Sequence, residues 1–225
     1  MPDTALVVMA RYPQCGTTKT RLARTIGDKE AVALYKAFLI DLAEKFVGQT
    51  CDVHWAYTPS EVDYLSFIAT LAPVHIEHMR AFPQQGGELG ARLHHVFQWT
   101  HDQGYQRTIV IGSDSPHISP RIIMQAQEEL AKADVVLGPA DDGGYYLIAM
   151  RRPYDVFTGI PMSTSVVARM TIDVAQRQGL KVHTLENLFD IDELSDLLRL
   201  SQLLETNSSL APATAAYLAT LKEFA

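Results

Sequence analysis

The chain has 225 residues, of which 47% are hydrophobic and 20% charged, a composition typical of a globular domain with a large core. Its 26 acidic and 19 basic residues give a formal net charge of −7, which disfavours nucleic-acid binding through a broad basic surface. Two cysteines are too few for a disulfide scaffold. No stretch is apolar enough to span a bilayer and no signal peptide is recognisable, so we expect a cytoplasmic protein.

Apolar runs of strand length alternate with longer amphipathic stretches along the chain. Strands are predicted at Ala5–Ala10, Asp52–Thr58, Val74–Met79, Thr108–Gly112, Val135–Pro139, Tyr145–Met150 and Lys181–Leu185. A helix is expected after the first loop, and others at Lys29–Val47, Glu61–Leu71, Gly90–Asp102, Pro120–Lys132, Ser165–Gln178, Glu193–Leu204 and near Ala213–Phe224. This alternation predicts a three-layer α/β/α fold around a mostly parallel sheet.

One connection in this pattern is too short for a parallel crossover. Only residues 140–144 separate the strands Val135–Pro139 and Tyr145–Met150, so we expect these two strands to be antiparallel and the sheet to be mixed. The chain shows no repeat and no clear linker. We therefore predict a single domain over residues 1–225, in which residues 207–225 form a peripheral C-terminal helix.

The most informative segment is the loop after the first predicted strand, residues 11–21 (RYPQCGTTKTR). It should lie at the carboxyl end of a strand, where open α/β sheets bind their ligands. Gly16 lets the backbone approach an anion, while Lys19 supplies a mobile point charge and Arg21 a planar fork of donors. With Arg11, these residues favour a site for a nucleotide or another phosphorylated substrate. A solvated basic loop is the alternative.

Carboxylates follow at two later points of the chain. Asp114 comes directly after the apolar strand Thr108–Gly112, where it could hold a divalent cation against a diphosphate; a turn aspartate is the alternative. Asp190 and Asp192 precede a predicted helix, and either could cap it. If this segment folds back beside Asp114, one of the two becomes a second metal ligand, for which we prefer Asp192.

Two glycine-rich segments add weaker signals. In residues 141–146 (DDGGYY), Asp142 is suited to accept hydrogen bonds from sugar hydroxyls and Tyr145 to pack against a ring, with Gly143 and Gly144 between them. An ordinary hairpin turn explains the same residues. Residues 86–90 lead into a predicted helix, and Arg92 lies one turn inside it. The N-terminus of a helix attracts anions.

Taken together and in order, these segments resemble a bacterial family of nucleotide-diphospho-sugar transferases, also called arsenosugar-biosynthesis-type or selenodomain-associated glycosyltransferases. The resemblance covers nearly the whole chain. It rests on residues 10–13 (ARYP), Gly16, residues 19–22 (KTRL), residues 87–90 (GELG), Arg92, residues 112–116 (GSDSP), residues 137–139 (LGP), residues 142–145 (DGGY), Ser163, Thr164 and residues 190–192 (DID).

The resemblance implies a GT-A-like nucleotide-diphospho-sugar transferase fold, shared with the nucleotidyltransferases that make molybdenum and F420 cofactors. It implies that the first loop holds the nucleotide phosphates and that Asp114 binds the metal. We therefore expect a transferase that takes a nucleotide sugar and a small acceptor, with Mg²⁺ or Mn²⁺ as cofactor on Asp114 and Asp192.

The convergence of a basic loop with several separate carboxylates suggests roles for the remaining site residues. Lys19 neutralises phosphate charge and is assigned a catalytic part, and Asp142 is the expected base. Five residues are expected to shape the acceptor or sugar site: Gly143, Gly144, Tyr145, Ser163 and Thr164.

Two other functions fit the same residues. The first is a nucleotidyltransferase, which would join a nucleoside triphosphate to a phosphorylated small molecule and release pyrophosphate. The second is a non-catalytic nucleotide-binding module. Neither the base, sugar and acceptor nor the oligomeric state follows from the sequence.

Overall fold

The structure is a computed structural model that describes residues 3–46, 51–73, 79–162 and 164–221. Seven strands in these ranges form one sheet: β1 (Thr4–Arg11), β2 (Asp52–Thr58), β3 (Met79–Pro83), β4 (Arg107–Gly112), β5 (Val135–Pro139), β6 (Tyr145–Met150) and β7 (Val182–Thr184). The helices are α1 (Thr20–Ile26), α2 (Asp28–Lys45), α3 (Tyr64–Leu71), α4 (Leu89–Asp102), α5 (Pro120–Glu129), α6 (Val167–Arg177), α7 (Leu194–Thr206) and α8 (Pro212–Leu218). Among the described residues, none of the helices has the length and apolar character needed to cross a bilayer.

The strand order is β3-β2-β1-β4-β6-β5-β7, and the sheet is mixed as predicted. The central strand β1 pairs in parallel with β2 and with β4. Strand β6 runs antiparallel to both β4 and β5, which confirms that the short connection reverses the chain. Because Met9 of β1 lies opposite Gly112 of β4, the loops after these strands emerge side by side at one edge of the sheet.

The apolar strands are covered on both faces. Leu6 and Val8 of β1 belong to the cluster that packs against α2, which contributes Phe38, whereas Val7 belongs to the cluster that α4 covers with Phe97. All of these side chains are buried. This two-sided burial explains why β1 has no alternation of apolar and polar residues.

The predicted strand at Val74–Met79 is wrong in its bounds within the described part of the chain. Residues 74–78 lie outside the described residues, and the strand that begins at Met79 continues to Pro83. Strand β3 is at the sheet edge, where an exposed Arg80 and a terminal proline are tolerated and weaken the sequence signal. The predicted strand Lys181–Leu185 is shorter in the structure, Val182–Thr184, and the predicted helix Pro120–Lys132 ends at Glu129.

The C-terminal helix α8 is anchored through one buried carboxylate of α2. Asp41 accepts hydrogen bonds from the backbone N–H of Ala213 at 2.8 Å and of Thr214 at 2.9 Å, and from the Thr214 hydroxyl. Asp41 and Thr214 are both buried. The residues described at the C-terminal end therefore pack against α2 rather than extend away from it.

Candidate functional site

A cleft of about 900 Å³ opens at the carboxyl ends of β1 and β4, the edge at which the sequence places the basic loop and Asp114. Three groups of predicted residues line it: from the basic loop Arg11, Gly16, Lys19 and Arg21, from helix α4 Arg92, and from later segments Asp114, Tyr145, Asp190 and Asp192. Two neighbouring parallel strands therefore deliver the predicted cationic and acidic groups to one cavity.

Hydrogen bonds within the basic loop fix its conformation before α1 begins. The backbone N–H of Gln14 donates to Thr18 Oγ1 at 2.8 Å, and the Gln14 carbonyl accepts from the backbone N–H of Thr17 and Thr18. Gly16 has a φ of +79°, a conformation that glycine adopts without the strain a side chain would add. The loop is thus held by its own backbone and by one buried threonine hydroxyl.

Lys19 has an unusual backbone conformation at the start of α1. Its φ of 46° and ψ of 48° lie in the left-handed region, and it is the one described residue other than glycine with a positive φ. Such strain persists where surrounding contacts hold it, and it often marks functional sites. The contacts here are made by the side chain, which is only 6% exposed.

The Lys19 ammonium lies between two carboxylates. Its Nζ is 2.6 Å from Asp114 Oδ1 and 3.2 Å from Asp192 Oδ1. Burial lowers the pKa of Lys19, but attraction to Asp114 and Asp192 and hydrogen bonds with them outweigh this effect and raise the pKa above its usual value. The lysine is therefore charged at neutral pH despite its burial.

The segment 190–192 folds back beside Asp114, which is the condition that the sequence left open. The backbone N–H of Ile191 donates to the Asp114 carbonyl at 3.0 Å, so the segment is tied to the end of β4. On one side of Ile191, Asp192 reaches Lys19. On the other side, Asp190 Oδ1 accepts a hydrogen bond from the Ser115 hydroxyl at 2.5 Å.

The two aspartates of this segment differ in exposure. Asp192 has 46% of its side chain exposed at the cleft, whereas burial raises the pKa of Asp190 to about 6, against the opposing effect of its hydrogen bond from Ser115. Neither residue caps α7, so that alternative is wrong. The helix instead has Glu193 at its N-cap, in a reciprocal capping box with Asp196.

The floor of the cleft contains a buried tyrosine that the sequence alone did not identify as part of the site. Tyr35 lies on the apolar face of α2, but its hydroxyl is 2.7 Å from Ser113 Oγ and accepts from the backbone N–H of Arg11 at 3.1 Å. Burial raises the pKa of Tyr35 to about 12. Tyr35 therefore joins the loop after β1 to the end of β4, next to Asp114.

A second residue missed from the sequence lies on the opposite wall. Gln84 follows the edge strand β3, and its Nε2 donates to the Ala56 carbonyl at 2.8 Å and to the Ala10 carbonyl at 3.3 Å. These bonds fasten Gln84 across the ends of β1 and β2, within the lining of the cleft. In the sequence, the only indication that Gln84 belongs to the site is its position after strand β3. The sequence pattern did not predict the end of that strand.

The arginines at the cleft are less tightly held than Lys19. Arg21 is 66% exposed, and its guanidinium lies 4.0 Å from Asp192 and 3.9 Å from Glu193. Arg92 bends back on the start of its own helix, where it donates to the carbonyls of Gly86 and Gly87. Among the described groups, the exposed Arg11 guanidinium has no counterion. Arg11 can turn toward an anion without losing a contact, whereas Arg92 would first give up its bonds to Gly86 and Gly87.

In the structure, part of the segment 141–146 forms a turn and part lines the cleft. Asp142 Oδ1 accepts from the backbone N–H of Gly144 at 2.8 Å, as in the turn that was the alternative interpretation, and Asp142, Gly143 and Gly144 are outside the cleft lining. Gly143 has a φ of +88° and its carbonyl accepts from Ala168 at the start of α6. Of this segment, Tyr145 and Tyr146 line the cleft.

The described part of the chain does not place the predicted pair Ser163 and Thr164 in the cleft. Ser163 lies outside the described residues. The Thr164 hydroxyl donates to the Pro161 carbonyl at 2.8 Å, and this exposed residue is not part of the lining. Their expected role at the acceptor therefore has no support from position.

Asp114 and Asp192 have the donor chemistry that a magnesium or manganese ion needs. Both carboxylates are about half exposed on the cleft and already share one cationic group. Magnesium is commonly held by one or two carboxylates with substrate phosphates and water completing its shell. Within the described ranges no cluster of three or more such ligands is present.

Comparisons with known proteins add to this geometry. Residues 44–164 match the sequence profile of DUF2064, described as an uncharacterized protein conserved in bacteria. A comparison with curated protein sequences gives no match. A Desulfovibrio desulfuricans G20 protein assigned to the nucleotide-diphospho-sugar transferases is similar in structure, with a TM-score of 0.91 and 33% identity over 100% of this chain and 97% of that chain.

Two more distant structures share the fold. A cytidylyltransferase from Leptospira borgpetersenii serovar Hardjo-bovis has a TM-score of 0.59 and 12% identity, covering 99% of this chain and 95% of its own. A CMP:2-keto-3-deoxy-manno-octonic acid synthetase complexed with CTP has a TM-score of 0.52 and 15% identity, covering 90% and 98%. The expected nucleotide-diphospho-sugar transferase fold is confirmed.

Proposed function

This chain belongs to the DUF2064 family, and from that membership and the geometry of the cleft we propose that it is a nucleotide-diphospho-sugar transferase acting on a small acceptor. The proteins of similar structure include transferases. The choice of a sugar donor rests on the relative with 33% identity over the whole chain.

The observation that carries the proposal is the position of Lys19 between Asp114 and Asp192. A buried ammonium that is already desolvated and charged costs little to transfer from carboxylates to the oxygens of a diphosphate. A divalent cation on Asp114 and Asp192 would neutralise charge on the leaving nucleoside diphosphate. In this arrangement Lys19 binds the phosphates from the side of the basic loop.

The remaining cleft residues have separate tasks in the proposal. Arg11, Arg21 and Arg92 bind and orient the diphosphate from the rim, because each guanidinium offers a fork of donors to phosphate oxygens. Tyr35 keeps the basic loop and the end of β4 at a fixed separation. Tyr145 presents an aromatic face at the wall where a sugar or acceptor ring would pack.

No part in proton abstraction is proposed for Asp142. Its Oδ1 is engaged by Gly144, and the residue lies outside the cleft lining. A base must come within hydrogen-bond reach of the proton that it takes. The expected catalytic role of Asp142 therefore stays an untested prediction from the sequence.

The test is product release from a panel of nucleotide diphospho-sugars in the presence of Mn²⁺. We expect release of nucleoside diphosphate, slowly to water and faster with an accepted acceptor, and a loss of about a hundredfold or more in Lys19→Met. Lys29→Met is the matched control, because Lys29 is exposed on α2 and far from the lining residues. Equal rates in Lys19→Met and wild type would contradict the proposal.

A nucleotidyltransferase is the second candidate, and the charge of the cleft favours it. Lys19, Arg11, Arg21 and Arg92 together supply enough positive charge for a triphosphate, and the fold is shared with cytidylyltransferases. Pyrophosphate released from a nucleoside triphosphate in the presence of phosphorylated small molecules would select this candidate. Nucleoside diphosphate released from a nucleotide sugar would select the first.

A further inference from the structure

A second cavity lies at the opposite end of the central strands from the cleft. It measures about 680 Å³ and is formed where the amino end of β4 meets the carboxyl end of the antiparallel β6, between the ends of α4 and α5. Its lining includes three arginines and two tyrosines: Arg107, Arg151, Arg152, Tyr105 and Tyr154. Such a volume is in the range of small-molecule sites.

Two of the three arginines have no counterion. Arg107 is paired with Asp3 at 3.2 Å, but the exposed guanidinium groups of Arg151 and Arg152 make no ion pair or hydrogen bond with any described group. Both arginines lie in the cavity lining together with Arg107 and one carboxylate, Asp134. Because Arg107 is paired with Asp3, the cavity keeps a formal excess of one positive charge in a protein of net charge −7.

The carboxylate of Asp134 offsets one of the two unpaired arginine charges but forms no ion pair with Arg151 or Arg152. Asp134 Oδ2 accepts from the backbone N–H of Lys181 at 2.9 Å, and Oδ1 lies 3.4 Å from the Tyr154 hydroxyl, which donates to it. Both oxygens thus serve to fix the local structure. The backbone that carries the arginines is also fixed, because the N–H of Arg151 donates to the Asp134 carbonyl and that of Tyr154 to the Arg152 carbonyl.

We propose that this cavity is a second small-molecule site, which binds a phosphorylated ligand through Arg151 and Arg152. Two adjacent planar donor forks suit a phosphoryl group, which presents several oxygens and more than one negative charge. The cavity exceeds the size of a phosphate ion, and the rings of Tyr105 and Tyr154 supply aromatic surface for the rest of the ligand.

The proposed site is separate from the catalytic cleft. Arg107 lines the cavity and Gly112 lines the cleft, and these two ends of β4 are about 17 Å apart at about 3.3 Å per residue. A ligand in the second cavity would not compete directly with one at Lys19. The inference is therefore independent of which transfer reaction the cleft carries out.

The experiment uses inorganic pyrophosphate as the probe, with EDTA present and at about 0.15 M ionic strength so that diffuse attraction is screened. Backbone amide chemical shifts locate the bound anion, and calorimetry gives its affinity. The variant is Arg151→Gln with Arg152→Gln. The matched control is Arg169→Gln with Arg177→Gln on α6, which removes the same charge from exposed arginines that line neither cavity.

We expect the amides of Arg151, Arg152 and Tyr154 to shift in wild type and in the control pair. In the Arg151→Gln, Arg152→Gln protein we expect the affinity of this site to fall at least about tenfold, with amide shifts in the loop 14–19 unchanged. Circular dichroism and melting temperature report whether that protein is folded. Wild-type amides of Arg151, Arg152 and Tyr154 that do not respond to millimolar pyrophosphate would overturn the proposal, as would equal affinity in the variant and the control.

Discussion

Lys19 donates a hydrogen bond to Asp192 across 173 residues of chain, at a distance of 3.2 Å. The contact joins the loop after β1 to the segment before α7, and Asp114 at the end of β4 shares the same ammonium. Three distant parts of the sequence thus meet at one nitrogen atom. In the proposed function, a divalent cation takes the place of Lys19 at the two carboxylates, and Lys19 binds the diphosphate of the substrate.

The first prediction concerns the metal pair. Lys19→Met leaves Asp114 and Asp192 without their shared cation, so we expect the free energy of unfolding to fall by about 1–3 kcal/mol. If the carboxylates hold a divalent ion, added Mn²⁺ should raise the melting temperature of Lys19→Met more than that of wild type. The measurement is a thermal melt with and without Mn²⁺.

Two further variants make this comparison specific. Asp114→Asn in the Lys19→Met background should abolish the stabilisation by Mn²⁺, whereas Asp173→Asn on the exposed face of α6 should leave it intact. An identical response to Mn²⁺ in all of these proteins would argue against a metal at this pair.

The second prediction concerns Gly143 in the turn between β5 and β6. Gly143→Ala should destabilise the fold by several kcal/mol, because the added Cβ would lie 2.0 Å from the Ser165 carbonyl oxygen at a φ of +88°. Gly159→Ala is the control, since Gly159 has a φ of +78° but open space around it, and should cost only about 1–2 kcal/mol. Urea denaturation of the two variants separates collision from backbone strain, and equal losses would show that the turn can move away from α6.

The third prediction concerns the anchor of α8. Asp41→Ala removes the acceptor for the N–H groups of Ala213 and Thr214, and we expect a loss of about 2 kcal/mol or more in the free energy of unfolding. Asp28→Ala, at the exposed start of α2, is a suitable control. Hydrogen exchange should show faster exchange confined to α8 in Asp41→Ala. Unchanged protection of α8 would mean that apolar packing alone holds the helix.

The fourth prediction is a pH dependence of stability. Burial lowers the pKa of both His54 and His117 to about 4, so each ring is neutral in the folded protein where an unfolded histidine, with a pKa of about 6.5, begins to protonate. As the pH falls from about 6.5 to about 4, the unfolded chain binds protons first. The two rings therefore make the free energy of unfolding decrease over that range and have no such effect above it.

The contribution of one histidine can be isolated by a substitution. Neither ring nitrogen of His117 has a partner among the described groups, so His117→Leu preserves burial without leaving a polar atom unpaired. We expect the drop in unfolding free energy between about pH 7.5 and about pH 5 to be smaller in this variant by about 2 kcal/mol. Urea denaturation at the two pH values measures it, and an equal drop would mean that His117 is protonated in the folded protein.

The position of the cleft was accessible from the sequence because parallel strands bring their carboxyl ends to one edge. The apolar runs at β1 and β4 predicted two buried strands, and Lys19 and Asp114 follow them closely in the sequence. The structure shows that these strands are neighbours. The resemblance to nucleotide-diphospho-sugar transferases predicted the fold correctly as well.

Other features of the site depend on contacts that have no local sequence signal. A hydrogen bond from Ile191 N–H to the Asp114 carbonyl ties this segment to the end of β4, with Asp192 at Lys19 and Asp190 at Ser115. Tyr35 has the spacing of a core residue, and only its hydroxyl distinguishes it.

The acceptor side of the predicted site was the least accessible from the sequence. The composition of residues 141–146 fits both a hairpin turn and a binding loop, and the structure places Asp142 in the turn while Tyr145 lines the cleft. The end of strand β3 was predicted at Met79 instead of Pro83, because an edge strand needs little apolar alternation.

The most direct test of the account is calorimetry of nucleotide diphospho-sugars with Mn²⁺ on wild type and on Asp114→Asn. We expect wild type to bind at least one nucleotide sugar only when Mn²⁺ is present, and Asp114→Asn to bind it at least about tenfold more weakly. No binding by wild type across the common nucleotide sugars, or equal binding by Asp114→Asn, would contradict a diphosphate site built on Lys19 and Asp114.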